Sequence, residues 1–318
     1  MSSPTPGFVP VSAEKTFSSY SKDQGVHYAQ NRLDYHPKLY QTIIDHHTST
    51  GGQLNTLLDV GCGPGTAARA LAPHFAHAIG LDPSEGMINQ AQVLAGASST
   101  SEPIRFAIST AEDLGWHLSP PVEDSSVDLI TAASAAHWFD MARFWPRAAR
   151  VLKPGGTAAL WTTGDIGIDP SMPNAAAIQA AIDDIEEREL KPFFEPGNLL
   201  TRNLYVGMPL PWTLAPPVAD FDEATFFRKE WGPDNNDEFF AGGGLTADLD
   251  TMERVLATSS PVHRWREAHP DAVGTERDVI RMMRSEIERL LHEAGVEKGK
   301  EVVKGSLRGV LLMVKKKA

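Results

Sequence analysis

Three glycines, Gly61, Gly63 and Gly65, alternate with other residues directly after the apolar pair Leu57-Leu58 and the acid Asp59. Glycine takes positive φ without steric cost and lets a ligand approach the main chain, so a buried strand that ends in this turn and opens a helix is a binding loop. Two ligands compete for it. A dinucleotide loop needs its third glycine three residues after the second, where this chain has Thr66. The spacing Gly-x-Gly-x-Gly suits S-adenosylmethionine (SAM) better. Asp82 closes the next apolar run, Ala78-Ile79-Gly80-Leu81, where an acid can accept hydrogen bonds from both ribose hydroxyls. Loop and acid together favour a cofactor site over a plain strand-to-helix connection.

A second chemically suggestive stretch follows a later apolar run. Four small residues, Ala132 to Ala135, precede His137-Trp138-Phe139. The small residues keep the backbone slim where a ligand passes, and the bulky ones then form a wall. A histidine beside aromatics is often an ordinary hydrogen-bonded core residue. At a strand end beside the glycine loop, His137 reads instead as a general base or as the group that orients an acceptor. Trp138 is expected beside the methionine moiety, since a sulfonium favours an aromatic face.

LLDVGCGPG, with Cys62 inside it, and GLDPSEGMI, with Met87 near its end, resemble the class I SAM-dependent methyltransferases (methyltransferase type 11 group). The segment Ser134-Ala135-Ala136-His137-Trp138-Phe139-Asp140 resembles the fungal trans-aconitate methyltransferase family. The resemblance runs from Tyr28 to the last strand, strong in the first half and patchy in the second. It implies an α/β fold, a Rossmann-like seven-stranded sheet with helices on both faces and a helical cap insertion. It also implies SAM as cofactor. By resemblance, Tyr28, Arg32 and Tyr35 match a Y-x-x-x-R-x-x-Y arm that closes over SAM; His36 stands where the family usually has proline. The plainer reading of that arm is an amphipathic helix packed on the sheet. After the third strand, Thr110 replaces the acid that usually reads adenine, which leaves Thr110, the Ala111 amide and Glu112 as candidates. Ser134 joins the cofactor set.

The elements that must position these residues alternate. Strands are predicted at 54–60, 77–82, 103–108, 127–133 and 157–163, with helices at 66–74, 84–94 and 140–152. Such alternation makes a parallel sheet with helices on both faces and ligands at the carboxyl ends of the strands. Leu152-Lys153-Pro154-Gly155-Gly156 reads as a turn. Beyond Asp165 prolines multiply around a helix at 174–190. A strand at 224–231, helices at 246–258 and 276–294 and a final strand at 307–314 follow. The expected organisation is a disordered tail over 1–16, a helical arm over 17–53, the SAM-binding core over 54–164, and the cap with the last two strands over 165–318.

The 318 residues are long for one minimal domain of this kind, and the formal net charge of −12 disfavours nucleic acid or an anionic membrane as partner. The single cysteine, Cys62, gives no internal disulfide or thiolate metal cluster and suits a reducing compartment. No metal is expected. Without an apolar run of 18 residues or a secretory leader, the chain reads as a cytoplasmic protein acting on a small molecule. Its oligomeric state is not legible.

In the substrate half, the family segment after a Pro-Gly pair is arginine-rich. Here Pro196-Gly197-Asn198-Leu199-Leu200-Thr201-Arg202 keeps only Arg202 of three arginines. Bidentate arginines hold paired carboxylates, so a tricarboxylate is a doubtful acceptor and a larger, less charged molecule fits the surrounding aromatics better. His263, Arg264 and Trp265 match a further family segment and complete the substrate candidates, with Ser259 and Val262 in place of aromatics. Methyl transfer to oxygen is the leading expectation. Other readings are a SAM-binding isomerase, cyclase or regulatory subunit that does not methylate, and a protein methyltransferase.

Overall fold

The computed structural model describes residues 25–26, 29–30, 33–232, 238–241 and 245–318. Eight strands form one sheet in the order β3-β2-β1-β4-β5-β8-β6, and β7 pairs with β8 off this path. The parallel part is β1 (Thr56–Val60), β2 (His77–Asp82), β3 (Arg105–Ile108), β4 (Val127–Ala133) and β5 (Leu152–Ile168). Antiparallel β8 (Val302–Lys316) adds to β5, and β6 (Phe221–Trp231) and β7 (Leu245–Asp248) both add antiparallel to β8.

Each face of the sheet buries its own apolar layer. One is covered by α1 (Pro37–Ser49), α2 (Thr66–Leu71) and α3 (Glu85–Leu94), which set Leu39, Ile43, Leu71 and Ile88 against Leu57, Leu129 and Trp161. On the other face α4 (Met141–Val151) sets Phe144, Trp145 and Ala148 against Leu58, Ile130 and Leu160. Alternate residues of β1 thus serve opposite layers, as the period of a strand requires. Asp140 starts α4 by accepting the Ala142 N–H at 3.1 Å, which satisfies one of the amides a helix leaves open.

The cap comprises α5 (Ala175–Ile185), α6 (Pro196–Arg202), α7 (Leu249–Leu256), α8 (Ser260–Ala268) and α9 (Val279–Glu293). The predicted stripe of α9 is core: Ile280 and Met283 pack with Trp265 and Ile185, and Ile287, Leu290 and Leu291 with Ile178.

Several expectations change. The sheet has eight strands rather than seven, because residues 245–248, expected to lead into a helix, pair with Val302–Gly305 as β7. The predicted helix over 246–258 accordingly begins at Leu249. Leu152–Gly156 is no turn but the bulged start of β5: Val127 pairs with Leu152 and Leu129 with Thr157, and Gly155 takes up the excess chain at φ +73°. Both α6 and α8 went unpredicted, each starting beside a proline that suits a first helical turn. Among the described residues no helix is long and apolar enough to cross a membrane.

Gly309 of β8 lies under the Phe239 ring, and a Cβ built there would meet that ring at 2.2 Å. Gly309→Ala is therefore expected to destabilise the fold by about 1–3 kcal/mol through overpacking. Urea unfolding of the variant beside the parent checks this, and an unchanged midpoint contradicts it.

Candidate functional site

The turn between β1 and α2 takes the conformation its glycines foretell: φ is +62° at Gly61, +53° at Gly63 and +83° at Gly65. Their surroundings differ. A Cβ at Gly61 would stand 2.6 Å from the Ala135 Cβ, and one at Gly65 2.7 Å from the Phe106 ring. Among the described residues nothing lies within 4 Å of a Cβ at Gly63. Gly61 thus lets the loop touch the segment after β4, Gly65 lets it touch β3, and Gly63 presents its main chain to open space.

Asp82 secures this turn. Its Oδ2 accepts the Gly63 N–H at 2.9 Å and its Oδ1 the Ser84 N–H at 2.9 Å, from a buried position at the end of β2. Met87 is buried on α3, and its N–H is capped by Ser84 Oγ at 3.3 Å. The Cys62 side chain is buried, its N–H is bonded to the Leu81 carbonyl at 2.9 Å, and burial pushes its thiol well above the usual range. That side chain packs behind the loop.

Asp59 is fully buried, with Oδ1 accepting from Thr131 Oγ1 at 2.7 Å. Burial pushes its carboxyl up to about 7, against the opposing effect of the Thr131 and Ala68 hydrogen bonds. Among the described residues, Asp59 Oδ2, Tyr40 Oη and Trp161 Nε1 are buried without a hydrogen-bond partner. They belong to residues that meet under the same face of the sheet: the Tyr40 and Trp161 rings lie 6.3 Å apart, and Asp59 helps raise the Tyr40 phenol above its ordinary range after burial and Tyr35.

Tyr28 and Arg32 lie outside the described residues. Tyr35 docks against Ser134, with the two hydroxyls 2.9 Å apart, and packs on Trp161 and Phe240. Gly25 meets Gly86 at the start of α3, where its Cβ would be 2.7 Å from the Gly86 carbonyl oxygen. His36 caps α1, accepting the Lys38 N–H on Nδ1 at 3.1 Å. Thr110 is exposed and accepts the Asp113 N–H at 3.2 Å, Ala111 is buried, and Glu112 accepts the Asp140 N–H at 2.9 Å. Glu112 therefore supports the start of α4.

After β4 the chain turns at Ser134, φ +48°, and buries His137. His137 Nδ1 lies 3.1 Å from Tyr205 Oη, a partner 68 residues away that no local pattern announced. Trp138 lies against α6, so close that a Cβ on Gly197 would meet its ring at 2.6 Å. His137 also borders a cavity of about 280 Å³, walled chiefly by Phe139, Met141, Leu199, Leu200 and Met208. Asn203 and His137 supply its side-chain polarity, and no side chain of Asp, Glu, Lys or Arg lines it among the described residues.

The four substrate candidates are not gathered there. Arg202 pairs with Asp165 and Glu186, each at 2.9 Å, and its guanidinium lies 4.2 Å from the centre of the Phe194 ring. Arg264 donates to the Phe193 carbonyl at 2.7 Å and to Asn198 Oδ1 at 2.7 Å, joining α8 to α6. His263 approaches Glu267 at 3.3 Å. Trp265 is buried in the cap, stacked on His269 and donating to Glu189 at 3.2 Å.

With this geometry in hand, the comparisons with known proteins are specific. Residues 58–160, which hold the glycine turn, Asp82 and His137, match the family model described as a methyltransferase domain. Over these residues the chain is similar to that domain. A Dictyostelium discoideum protein assigned as a methyltransferase is 34% identical over 164 residues, which are 52% of this chain and 54% of the relative. The probable S-adenosylmethionine-dependent methyltransferase CRG1 of Saccharomyces cerevisiae is 31% identical over 138 residues, 43% of this chain and 45% of that one. The chain spans about half the length of the curated relatives it matches. A solved structure from Anaeromyxobacter dehalogenans, assigned as a type II methyltransferase, superposes over 90% of this chain and 97% of its own with a TM-score of 0.55 at 24% identity. That likeness shows the fold: a Rossmann-like class I methyltransferase sheet extended by a cap.

Within residues 58–160, the Asp59 carboxyl gives a pH signature. Its native value near 7 stands above the 3.8 of an exposed aspartate, so the unfolded chain ionises first as pH rises. Native stability through this group is complete below about pH 3.8, falls up to about pH 7 and is level beyond. In Asp59→Asn that slope, on the order of 1.4 kcal/mol per pH unit, is absent. Urea unfolding across this window should show the variant gaining on the parent as pH rises. A constant difference refutes the assignment.

Proposed function

We propose that this chain is a cytoplasmic SAM-dependent methyltransferase acting on a small, weakly charged organic molecule at oxygen. The observation that carries the reading is the contrast at the glycine turn. Among the described residues, Gly63 alone of the three glycines faces open space, and it does so beside Asp82, on the side of the sheet where strands end. The residues fit SAM: Asp82 is a carboxylate acceptor of the kind that ribose hydroxyls need, and among the described residues nothing stands within 4 Å of a Cβ at Gly63, while Asp59 and Tyr40 hold buried polar atoms without a hydrogen-bond partner. Tyr28 and Arg32 are assigned to the arm over the cofactor, with Ala111 and Thr110 at the adenine edge.

When bound, SAM supplies a methyl carbon already activated by its sulfonium. The protein then has to align the acceptor and exclude water. Phe139, Met141, Leu199, Leu200 and Met208 offer the acceptor an apolar enclosure, and His137 receives its proton when the acceptor is a hydroxyl. Kinship with the fungal trans-aconitate methyltransferases belongs to this proposal with the acceptor altered. Arg202 and Arg264 are engaged with Asp165, Glu186, Phe193 and Asn198, and among the described residues the cavity walls carry no arginine to hold several carboxylates.

The test incubates the protein with methyl-labelled SAM and a cell extract and follows label into small molecules or macromolecules. Label in the small-molecule fraction supports the reading; label only in protein, or SAM binding without transfer, overturns it. Asp82→Ala should weaken SAM binding by roughly 10- to 100-fold, as the loss of charged hydrogen bonds predicts, read by calorimetric titration. With the labelled product as acceptor class, His137→Gln should lower kcat by about 10²- to 10⁴-fold for a hydroxyl, whereas a carboxylate acceptor would leave kcat nearly unchanged.

A further inference from the structure

We propose that Asn203 selects the acceptor, its side-chain amide donating to a neutral carbonyl oxygen on a compound whose hydroxyl lies at His137. The acceptor class is then an uncharged hydroxy-carbonyl compound with an apolar body. This rests on the reading of the cavity beside His137 as the acceptor's place.

Along the segment that walls this cavity, the polar side chains before Asn203 are already spent. Asn198 Oδ1 accepts the Glu195 N–H at 3.0 Å and Arg264 at 2.7 Å, and its Nδ2 donates to Ser260 Oγ at 3.1 Å. Thr201 Oγ1 donates to the Asn198 carbonyl at 2.8 Å, and Arg202 pairs with Asp165 and Glu186. Asn203 lines the cavity, and among the described residues only its main chain is bonded. Its N–H donates to the Leu199 carbonyl at 3.1 Å, and its carbonyl accepts the Val206 N–H at 2.9 Å. One asparagine thus joins α6 to α8, while the other keeps a whole amide for a ligand.

Donors are scarce around it. Pro196 and Pro209 have no N–H to give. The main-chain N–H groups of Phe139, Leu199 and Met208 are bonded to the Ala136, Glu195 and Tyr205 carbonyls at 3.2, 3.3 and 3.1 Å. An oxygen without a hydrogen of its own needs an N–H, and the Asn203 Nδ2 carries two at any pH. An apolar body that enters the cavity takes water from this amide. A compound that offers an oxygen there replaces the lost bond, whereas its hydrocarbon isostere leaves the amide unsatisfied. A carboxylate in the same place would be buried with no lysine or arginine beside it among the described residues.

The chain fixes where the amide stands. Asn203 ends α6, and Leu204 and Tyr205 then turn at φ +49° and +59°, a conformation bulky residues avoid. Leu204 N–H donates to the Thr201 carbonyl and Tyr205 N–H to the Leu200 carbonyl, each at 2.8 Å, and Arg228 donates to the Leu204 carbonyl at 2.9 Å. A backbone so restrained holds the Asn203 Cα at one place on the wall, as recognition of a fixed oxygen requires.

The test titrates the full chain, labelled with ¹⁵N-asparagine, with para-hydroxyacetophenone, with its isostere para-ethylphenol and with para-hydroxybenzoate, each with and without S-adenosylhomocysteine. Asn203→Leu identifies the Asn203 amide resonances by their loss. In the parent, the ketone should move those amide protons downfield and bind roughly 5- to 100-fold tighter than para-ethylphenol, the loss expected when one neutral hydrogen bond is left unmade. Para-hydroxybenzoate should bind most weakly of the three. In Asn203→Leu the order of ketone and isostere should reverse, an outcome that a merely structural role does not give. Asn203→Asp keeps the size and removes the N–H donors; it should lose the ketone preference, and it serves should the leucine variant fail to fold. Equal affinities for ketone and isostere, a preference that survives in the variant, or an amide moved by neither probe overturns the proposal. The titration needs no methyl transfer. Ketone selection without turnover therefore counts against the function proposed above, and turnover without ketone selection counts against this inference.

Discussion

Asp82 accepts an amide from each of two turns, Gly63 at the end of β1 and Ser84 at the start of α3. Both amides belong to helix-opening segments whose hydrogens have no partner further along the chain, and a buried carboxylate is the group that two such donors can satisfy together. One side chain therefore sets the distance between the first two strand ends. The glycine turn, the open space over Gly63 and the placement of α3 all follow from that distance. An alanine there would take the acceptor away from both amides.

The domain and the cap meet through residues of small volume or fixed direction. Gly197 allows α6 to lie on Trp138, and Gly61 allows the loop to lie on Ala135. Arg264, donating to Phe193 and Asn198, holds α8 and α6 at one spacing. The cavity beside His137 is what remains between these contacts. Its apolar character follows from the arginines of the cap being consumed in ion pairs and carbonyl bonds outside it.

Much of this was legible in the sequence where the signal is local. The glycine spacing, the acid at the end of β2 and the alternation of strands and helices depend on residues close in the chain, and they located the loop, Asp82 and the parallel sheet. The stripe of α9 was readable for the same reason. What was not legible depends on distant partners. Tyr205 has no neighbouring motif, and its importance comes from a histidine 68 residues earlier. β7 is four residues long and becomes a strand only because β8 offers it an edge. Arg202 and Trp265 were read by alignment with a family segment, but charge and aromaticity do not say whether a side chain faces a ligand or a neighbour. Asp165, Glu186 and His269 are the neighbours found.

β8 carries three partners along its length: β5 on one side, and β6 and β7 in succession on the other. It is also the last of these strands to be synthesised. During translation the growing chain completes β1 to β5 long before Val302–Lys316 emerges, so the β5 edge, with Ala158, Leu160 and Trp161 along it, waits without its neighbour for well over a hundred residues. β6 and β7, which among the described residues pair with β8 alone, wait as well. The later part of the sheet thus cannot be completed until Val302–Lys316 is available to lie between β5 on one side and β6 and β7 on the other.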